Sequence, residues 1–441
     1  MPAPLRQIET ESALPARADV VVIGAGIVGT CTAYYLAKRG IGVALVEKGV
    51  VGGEQSSRNW GWCRQQNRDA RELPVATRSL DLWDRLAADI GEETGFRRCG
   101  LTYLSDEDEQ LDLWTRWRDM ARSHGVTTHM LDSAEATARG AATGRRWKGG
   151  VFSASDGTAD PSRAVPAIAL GVRKLGGTVH QACAARGLET AGGRVSGVVT
   201  EHGTIRTSQV VMAGGAWASA FCHQLGVSFP QTALRSSILA VAPGAEGLPA
   251  ALHTSEISVT RRGDGGYTLA ISGRAQVDPT IQQILYARHF VPMLAKRWRA
   301  LTPGTGQAWF AGHETRRRWA LDRVTPMERN RILDPRPSRR ILDQTLARAR
   351  TMLPAFERVS VQAEWAGYID NTPDGIPVIG PVAAVPGLLL AAGFSGHGFG
   401  IGPGAGHLAA DLVSGAPPIT DPVPYRLDRF SRLAWGKVSE F

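Results

Sequence analysis

Cysteine is scarce in this sequence, with five residues in 441 and no Cys-x-x-Cys pair. An odd number of scattered cysteines excludes a disulfide framework and offers no zinc-binding pattern. The ten histidines form no His-Glu-x-x-His pattern, so no metal site is predicted. No apolar run approaches the ~20 residues of a membrane-spanning helix, and residues 1–17 lack the basic and apolar regions of a signal peptide. The sequence therefore predicts a cytoplasmic protein without a transmembrane segment.

Clusters of like charge are also scarce, although the formal net charge is +9. The basic residues are scattered along the chain, which favours a small anionic substrate and predicts no nucleic-acid partner. Hydrophobic residues make up 43% and charged residues 21%, a globular composition that excludes a disordered chain. At about 150 residues per domain, the length allows two or three domains or one large interwoven unit.

The first informative motif lies in residues 19–49. A continuous apolar run, residues 20–23, is typical of a buried parallel strand and is followed at once by the pattern Gly24-x-Gly26-x-x-Gly29 and a helical stretch. These glycines suit a tight turn, the approach of a pyrophosphate and close helix–strand packing. Glu47, at the end of the next apolar strand, suits the ribose hydroxyls of an adenosine. The motif predicts a bound dinucleotide and disfavours NADP, but it does not separate NAD from FAD.

A second glycine-rich turn follows an apolar strand near the end of the chain. Five glycines lie between residues 393 and 402, immediately before a helical stretch. Glycines let the backbone approach a flat ligand, and the helix N-terminus directs positive charge at it. This geometry suits the edge of a flavin that becomes anionic on reduction, and a plain turn needs only one glycine.

Together, these motifs resemble the D-amino acid oxidase, glycine oxidase and sarcosine oxidase superfamily of FAD enzymes. The resemblance is carried by GxGxxG…Glu, by Asp374-x-x-Pro377-x-Ile379-Gly380 and by the stretch GFSGHGFGIGP. It implies an α/β fold (α+β overall), in which a Rossmann-like FAD-binding domain carries an inserted antiparallel-sheet substrate domain. The predicted boundaries assign residues 1–95, 145–225 and 359–441 to the FAD-binding domain, and residues 96–144 and 226–358 to the substrate domain.

Motifs and resemblance together give the expected cofactor contacts. Ser56 to Arg58 match the family's loop at the pyrophosphate and flavin, and residues 396–401 match its segment along the flavin ring. The residues expected to contact FAD are Gly24, Gly26, Ile27, Gly29, Glu47, Lys48, Ser56, Ser57, Arg58, Ala185, Gly214, Gly215, Trp217, Gly396, His397, Gly398, Phe399, Gly400 and Ile401.

The sequence departs from the family's pattern at three places. Ile369 stands where glycine oxidases carry an arginine that binds the substrate carboxylate, and Gly400 stands where monomeric sarcosine oxidases carry a lysine. Those sarcosine oxidases also tether FAD through a cysteine ahead of the C-terminal motif, whereas no cysteine follows Cys222 here. FAD is therefore expected to be non-covalent, and another residue must hold the carboxylate.

Four residues are the candidate catalytic groups. Arg64 and Gln66 end a polar loop near the position of a carboxylate-binding arginine in sarcosine oxidases. Tyr267 lies on a strand of the expected substrate domain and suits a substrate hydrogen-bond donor, although an aromatic residue on a strand is more often part of a core. His397 is flanked by glycines in the flavin-facing turn. Each candidate has a purely structural alternative: a solvated loop for Arg64 and Gln66, a core aromatic residue for Tyr267 and a structural histidine for His397.

The resemblance implies oxidation of the C–N bond of a small carboxylated amine, by hydride transfer to flavin N5 and hydrolysis of the imine. A secondary amine of the iminodiacetate, sarcosine or opine kind is the leading expectation, with oxygen or an electron carrier as acceptor. A D-amino acid dehydrogenase is the alternative, an RNA-modifying flavoprotein a remote one, and a non-catalytic flavin subunit a third. The oligomeric state remains open.

Overall fold

The apolar runs of the sequence form strands in the computed structural model, which describes residues 3–243, 247–271, 273–431 and 438–439. In chain order the strands are β1 (Val20–Ile23), β2 (Val43–Val46), β3 (Trp62–Cys63), β4 (Leu101–Ser105), β5 (His129–Leu131), β6 (Gly149–Ser153), β7 (Gly157–Thr158), β8 (Thr178–His180), β9 (Ala185–Ala191), β10 (Arg194–Thr200), β11 (Gly203–Arg206), β12 (Val210–Met212), β13 (Thr232–Val241), β14 (Ala251–His253), β15 (Ser258–Arg261), β16 (Tyr267–Ala270), β17 (Ala275–Val277), β18 (Leu301–Pro303), β19 (Val361–Asn371), β20 (Val378–Pro381) and β21 (Leu388–Ala392).

The helices connect these strands and cover the sheets. They are α1 (Ile27–Lys38), α2 (Leu73–Ile90), α3 (Asp108–Arg122), α4 (Ser133–Arg139), α5 (Ala164–Lys174), α6 (Ala218–Gln224), α7 (Ile281–Arg297), α8 (Gln307–Ala311), α9 (Pro326–Arg329), α10 (Arg339–Met352) and α11 (Gly398–Ser414). Pro74 lies in the first turn of α2, where its missing N–H costs no hydrogen bond.

The first sheet has the strand order β20-β21-β12-β1-β2-β8 and is parallel apart from the edge strand β20. One face packs on helices α1, α2, α5 and α11, and the other on α6 and the small sheet β9–β11. Because both faces are covered, the central strands are apolar throughout, as the sequence predicts. Strand β1 lies between β2 and β12, so the chain turns to opposite sides at its carboxyl end, where ligands bind in folds of this type.

The second sheet is larger and mostly antiparallel. Its strand order is β18-β17-β13-β16-β15-β14-β4-β6-β5, and β19 pairs along β13. Only the β14–β4 and β17–β18 pairs run parallel among the pairs of this sheet that the structure describes. Helix α10 packs on it through Leu342, Ala349 and Met352.

Strand pairing differs from the predicted domain boundaries at two places. Strands β6 and β19 fall in the predicted FAD-binding segments 145–225 and 359–441, but both pair within the second sheet. A sequence pattern indicates that a segment is a strand, but the strand with which it pairs depends on the tertiary fold. Within the described residues, no helix is long and apolar enough to cross a membrane, and no group of metal-ligating side chains occurs.

Candidate active site

A cavity of about 390 Å³ runs between the two sheets. It starts at the carboxyl ends of β1, β2 and β12 and ends against β19 and the polar loop before α2. Its walls therefore combine the glycine-rich turn after β1, the glycine-rich turn before α11, and side chains from the second sheet.

The turn after β1 has the backbone that a phosphate site needs. Gly24 has φ of +101°, and a Cβ there would lie 2.6 Å from the Ala213 carbonyl oxygen, so only glycine fits. Gly26 precedes α1 and has no side chain that could cap the helix. The Ile27 N–H donates to Ser56 Oγ at 2.9 Å instead. The positive end of α1 thus faces the cavity next to a hydroxyl that can turn toward a phosphate.

Glu47 follows β2 at the adenosine end of the cavity. Its Oε2 accepts from the Ala25 N–H and its Oε1 from the Gly49 N–H, both at 2.8 Å. Burial raises the pKa of this carboxyl, while Lys48 and the two N–H groups oppose that shift. A carboxylate has more acceptor sites than these two donors use, so the ribose hydroxyls can still bind.

Lys48 serves mainly to hold the neighbouring loop. Its Nζ pairs with Glu54, donates to the carbonyls of Asn330 and Arg331, and lies 4.7 Å from the Trp217 ring. These contacts fix one wall of the cavity at the dinucleotide end.

The turn before α11 forms the other end of the dinucleotide site. His397 precedes the helix, and the N-terminus of this 17-residue helix faces the cavity. The first turn of the helix also packs against α2: the Gly400 carbonyl accepts from Ser79 Oγ at 2.8 Å and from Trp83 Nε1 at 2.9 Å. A Cβ at Gly400 would lie 2.6 Å from the Trp62 carbonyl oxygen, which explains why no lysine can occupy this position.

The predicted contacts divide into those that line the cavity and those that support it. The lining residues are Gly24, Gly26, Ile27, Glu47, Lys48, Ser56, Arg58, Arg64, Ala185, Gly214, Gly215, Trp217, Gly396, His397, Gly398 and Phe399. Outside the lining are Gly29, Ser57, Gln66, Tyr267, Gly400 and Ile401. Gly29 acts through packing, because a Cβ there would lie 2.0 Å from the Gly24 carbonyl oxygen.

Two candidate catalytic residues lie behind the cavity wall. Gln66 is fully buried; its amide contacts Asn67 and Ser153, and its N–H donates to Asp156. Tyr267 is 2% exposed and packs in the core beneath α10, with its ring 5.3 Å from that of Phe356. Strand β16 directs this residue toward α10, so neither side chain reaches a ligand in the cavity.

Two arginines line the substrate end of the cavity. Arg64 Nη1 donates to the Gln66 carbonyl at 2.6 Å and to Tyr103 Oη at 3.0 Å, and no carboxylate of the described residues lies within 4.0 Å of it. Arg68 is 2% exposed, and its Nε and Nη1 have no hydrogen-bond partner in the part of the chain that the structure describes. Burial, followed by the charge of Arg64, lowers the pKa of Arg68 to about 9.

The sequence interpretation missed Arg68 and Glu72. Arg68 follows Arg64 by four residues in the same polar loop, and a second arginine so close was the available signal. Glu72 is fully buried immediately before α2, with its carboxylate 3.0 Å from His397 Nδ1. No sequence pattern places residues 72 and 397 side by side.

The residues of the cavity fit an extended FAD. An acidic acceptor, two helix N-termini and two glycine turns follow one another along it, in the order that ribose, pyrophosphate and flavin require. Arg58, which is 5% exposed, brings a guanidinium to the loop between them; its Nη1 pairs with Asp334, whereas its Nε has no partner among the described residues.

We predict that FAD is released when the purified protein is denatured with acid, because none of the five cysteines lines the cavity. The measurement is flavin absorbance in the supernatant after precipitation. Flavin absorbance that stays with the precipitated polypeptide would show a covalent bond to another residue type and contradict the prediction.

Comparison with known proteins places this architecture among amino acid oxidoreductases. The family model described as DAO, FAD dependent oxidoreductase, matches residues 19–412. The L-amino acid deaminase from Proteus myxofaciens has a TM-score of 0.93 to this chain and 31% sequence identity, covering 98% of this chain and 97% of its own.

Two curated relatives are similar over nearly their whole length. The glycine oxidase of Pseudomonas aeruginosa is 27% identical over 92% of this chain and 97% of its own, and the sarcosine oxidase subunit beta of Rhizobium meliloti is 26% identical over 94% and 88%. The predicted superfamily, fold class and cofactor are confirmed. The chain belongs to the DAO family of FAD-dependent oxidoreductases and is an FAD-dependent amino acid oxidoreductase.

Proposed function

We propose that this enzyme oxidises the C–N bond of a small α-amino acid whose carboxylate pairs with Arg64 and Arg68. The proposal is based on the two guanidinium groups in the cavity wall, neither of which forms a salt bridge with a carboxylate of the described residues. An unpaired buried cation costs several kcal/mol, so an anionic ligand is the natural partner. Guanidinium also offers a planar pair of donors that matches a carboxylate.

The surrounding side chains limit the size and position of the substrate. The Trp60 and Trp62 rings lie 5.1 Å apart in an edge-to-face contact and form part of the wall. Trp62 Nε1 donates to Thr260 Oγ1 at 2.6 Å, which ties this wall to the second sheet. Ile369, in place of a glycine oxidase arginine, presents an apolar surface. The cavity would therefore exclude water around the reacting carbon while the arginines hold the carboxylate.

FAD held in this cavity would supply the acceptor for a hydride from the carbon next to nitrogen, and hydrolysis of the imine would give a keto acid or glyoxylate. The chain's part is to orient the substrate and to stabilise negative charge with the N-terminus of α11, which starts next to His397. At Gly400 a lysine is sterically excluded. Monomeric sarcosine oxidases carry a lysine at this position, near the oxygen-reactive face of the flavin, so its absence favours transfer of electrons to a carrier over rapid reaction with oxygen.

Two substrate classes have specific support. The L-amino acid deaminase similarity, which extends over almost the entire chain, favours a primary L-amino acid. The sarcosine oxidase and glycine oxidase relatives favour glycine or an N-substituted glycine, including the sarcosine- and iminodiacetate-like secondary amines predicted from the sequence. We rank primary L-amino acids first because the similarity to the L-amino acid deaminase has the higher sequence identity.

A panel of amines tests the proposal by reduction of an artificial electron-accepting dye, with and without oxygen. It contains L- and D-amino acids, N-alkyl glycines, iminodiacetate and opines, and each active acid is paired with its carboxamide. We expect activity with one class of acid and a loss of about 30-fold or more with its carboxamide, since a charge-paired hydrogen bond is lost. Equal activity with the carboxamide would contradict the arginine anchor. Inactivity with every amine would contradict the proposed function.

A further inference from the structure

A histidine and a buried carboxylate form a pair at the cavity wall. His397 Nδ1 lies 3.0 Å from Glu72 Oε2 and 3.1 Å from Oε1. Glu72 is fully buried and does not line the cavity, whereas His397 does. An ionised carboxylate only accepts hydrogen bonds, so the neutral imidazole carries its proton on Nδ1 and a lone pair on Nε2. Nε2 has no partner among the described residues.

The proposed reaction needs a group that accepts a proton. An α-amino acid in neutral water carries an ammonium group, whose nitrogen has no lone pair to support loss of hydride from the adjacent carbon. Of the carboxylates that line the cavity, Glu47 accepts from the Ala25 and Gly49 N–H groups, Glu54 pairs with Lys48, and Asp370 accepts from the Gly393 N–H and the Gln231 amide. Among the lining residues, His397 is the side chain with an unoccupied basic nitrogen.

We propose that His397 Nε2 accepts the ammonium proton of the substrate, that Glu72 positions the imidazole, and that carboxylate binding at Arg64 and Arg68 strengthens this base. The step converts an ammonium and a neutral imidazole into an amine and an imidazolium. The electrons of the broken N–H bond stay on nitrogen as the lone pair, and nothing is oxidised. This inference rests on the proposed function and deepens it.

Electrostatics links the two binding events. Burial lowers the pKa of His397, the charges of Arg68 and Arg64 lower it further, and Glu72 opposes them. These three side chains have the largest charge effects on the imidazole. A substrate carboxylate neutralises the arginines and removes two of the causes that lower the pKa. The imidazole therefore becomes more basic when the ammonium group arrives beside it.

The first test is His397→Asn, with the rate of flavin reduction measured anaerobically from pH 6 to pH 10. General-base catalysis contributes at least about 100-fold, so we expect a loss of that size at pH 7. The loss should shrink as the pH approaches the pKa of the substrate amine, because free amine needs no base. A loss that is the same at every pH indicates a structural role and overturns the proposal.

The matched control is His407→Asn. His407 lies on α11, the helix that begins directly after His397, pairs with Asp411 through Nδ1 at 3.0 Å, and does not line the cavity. This variant should keep the wild-type pH profile. Glu72→Gln removes the charge that raises the pKa of His397, so the acid limb of the kcat/KM profile should move to lower pH and the plateau should fall. An unchanged limb excludes Glu72 as the positioning residue.

The second test needs no turnover. Benzoate, which has a carboxylate but no amine, is titrated by calorimetry in two buffers of different ionisation enthalpy, between pH 5 and pH 8. A pKa raised by binding means that binding takes up protons, so affinity increases as the pH falls through the pKa of the complex. His397→Asn should reduce this uptake, while Asp156 and Asp370, whose pKa values burial raises to about 6, still titrate in both proteins.

The two tests separate the hypotheses. Equal proton uptake by wild-type and His397→Asn protein overturns the link between the arginines and the base. Wild-type protein that oxidises no amine contradicts the proposed function, but a difference in proton uptake would still support the link to His397.

Discussion

Replacing Arg64 with alanine should raise KM for the best amino acid substrate by roughly 30- to 5,000-fold. Truncating one partner of a buried charge pair costs about 2–5 kcal/mol, and each 1.4 kcal/mol is a factor of about ten. Because Arg64 pairs with no acidic side chain of the described residues, alanine leaves no protein carboxylate unpaired. The alanine variant also loses the bonds that Arg64 donates to the Gln66 carbonyl and the Tyr103 hydroxyl. Steady-state kinetics give KM, and the FAD spectrum shows whether the cofactor site is intact.

Arg68→Met gives an independent check, because the two proposed effects have opposite signs. The variant should raise KM in the same way, yet it should increase the free energy of unfolding, since a buried charge with unpartnered N–H groups disappears. Arg78→Ala is the matched control: Arg78 is exposed on α2 and does not line the cavity. Wild-type KM in both the Arg64 and Arg68 variants would show that the carboxylate binds elsewhere.

The parts of the fold that sequence predicted are those encoded by local chemistry. Position 24 has a positive φ and lies against the Ala213 backbone, so only glycine fits there. The motif around it therefore specifies its own geometry. The glycine-rich stretch at residues 263–266 is typical of a hairpin turn, and it connects the antiparallel strands β15 and β16. Such features depend on neighbours in the chain, and a sequence pattern contains those neighbours.

The features that sequence missed depend on distant partners. Strand β19 pairs with β13, more than a hundred residues earlier, and no local pattern selects that partner. Tyr267 was a candidate because its strand was expected to cover the flavin, but the direction of its side chain depends on where α10 packs. The pairing of Glu72 with His397 joins the start of α2 to the start of α11, and it becomes visible only when both helices are placed.

Variants of Glu47 distinguish the binding of FAD by the chain from the use of FAD in catalysis. Glu47→Ala should weaken FAD binding about 100- to 10,000-fold, because two charge-assisted hydrogen bonds to the ribose are each worth about 1.5–3 kcal/mol. The change also leaves the N–H groups of Ala25 and Gly49 without the carboxylate to which they donate at 2.8 Å. The protein should therefore purify largely without flavin.

Adding FAD back distinguishes the causes of such a loss. Equilibrium titration of the apoprotein, followed by flavin fluorescence, gives Kd for wild type, Glu47→Ala and Glu47→Gln. The glutamine variant keeps an acceptor oxygen but loses the charge, so its Kd should lie between the other two. At saturating FAD both variants should recover KM for substrate, since Arg64 and Arg68 lie at the other end of the cavity. Wild-type FAD affinity in Glu47→Ala would mean that the ribose lies away from the end of β2, and the proposed direction of FAD along the cavity would then be wrong.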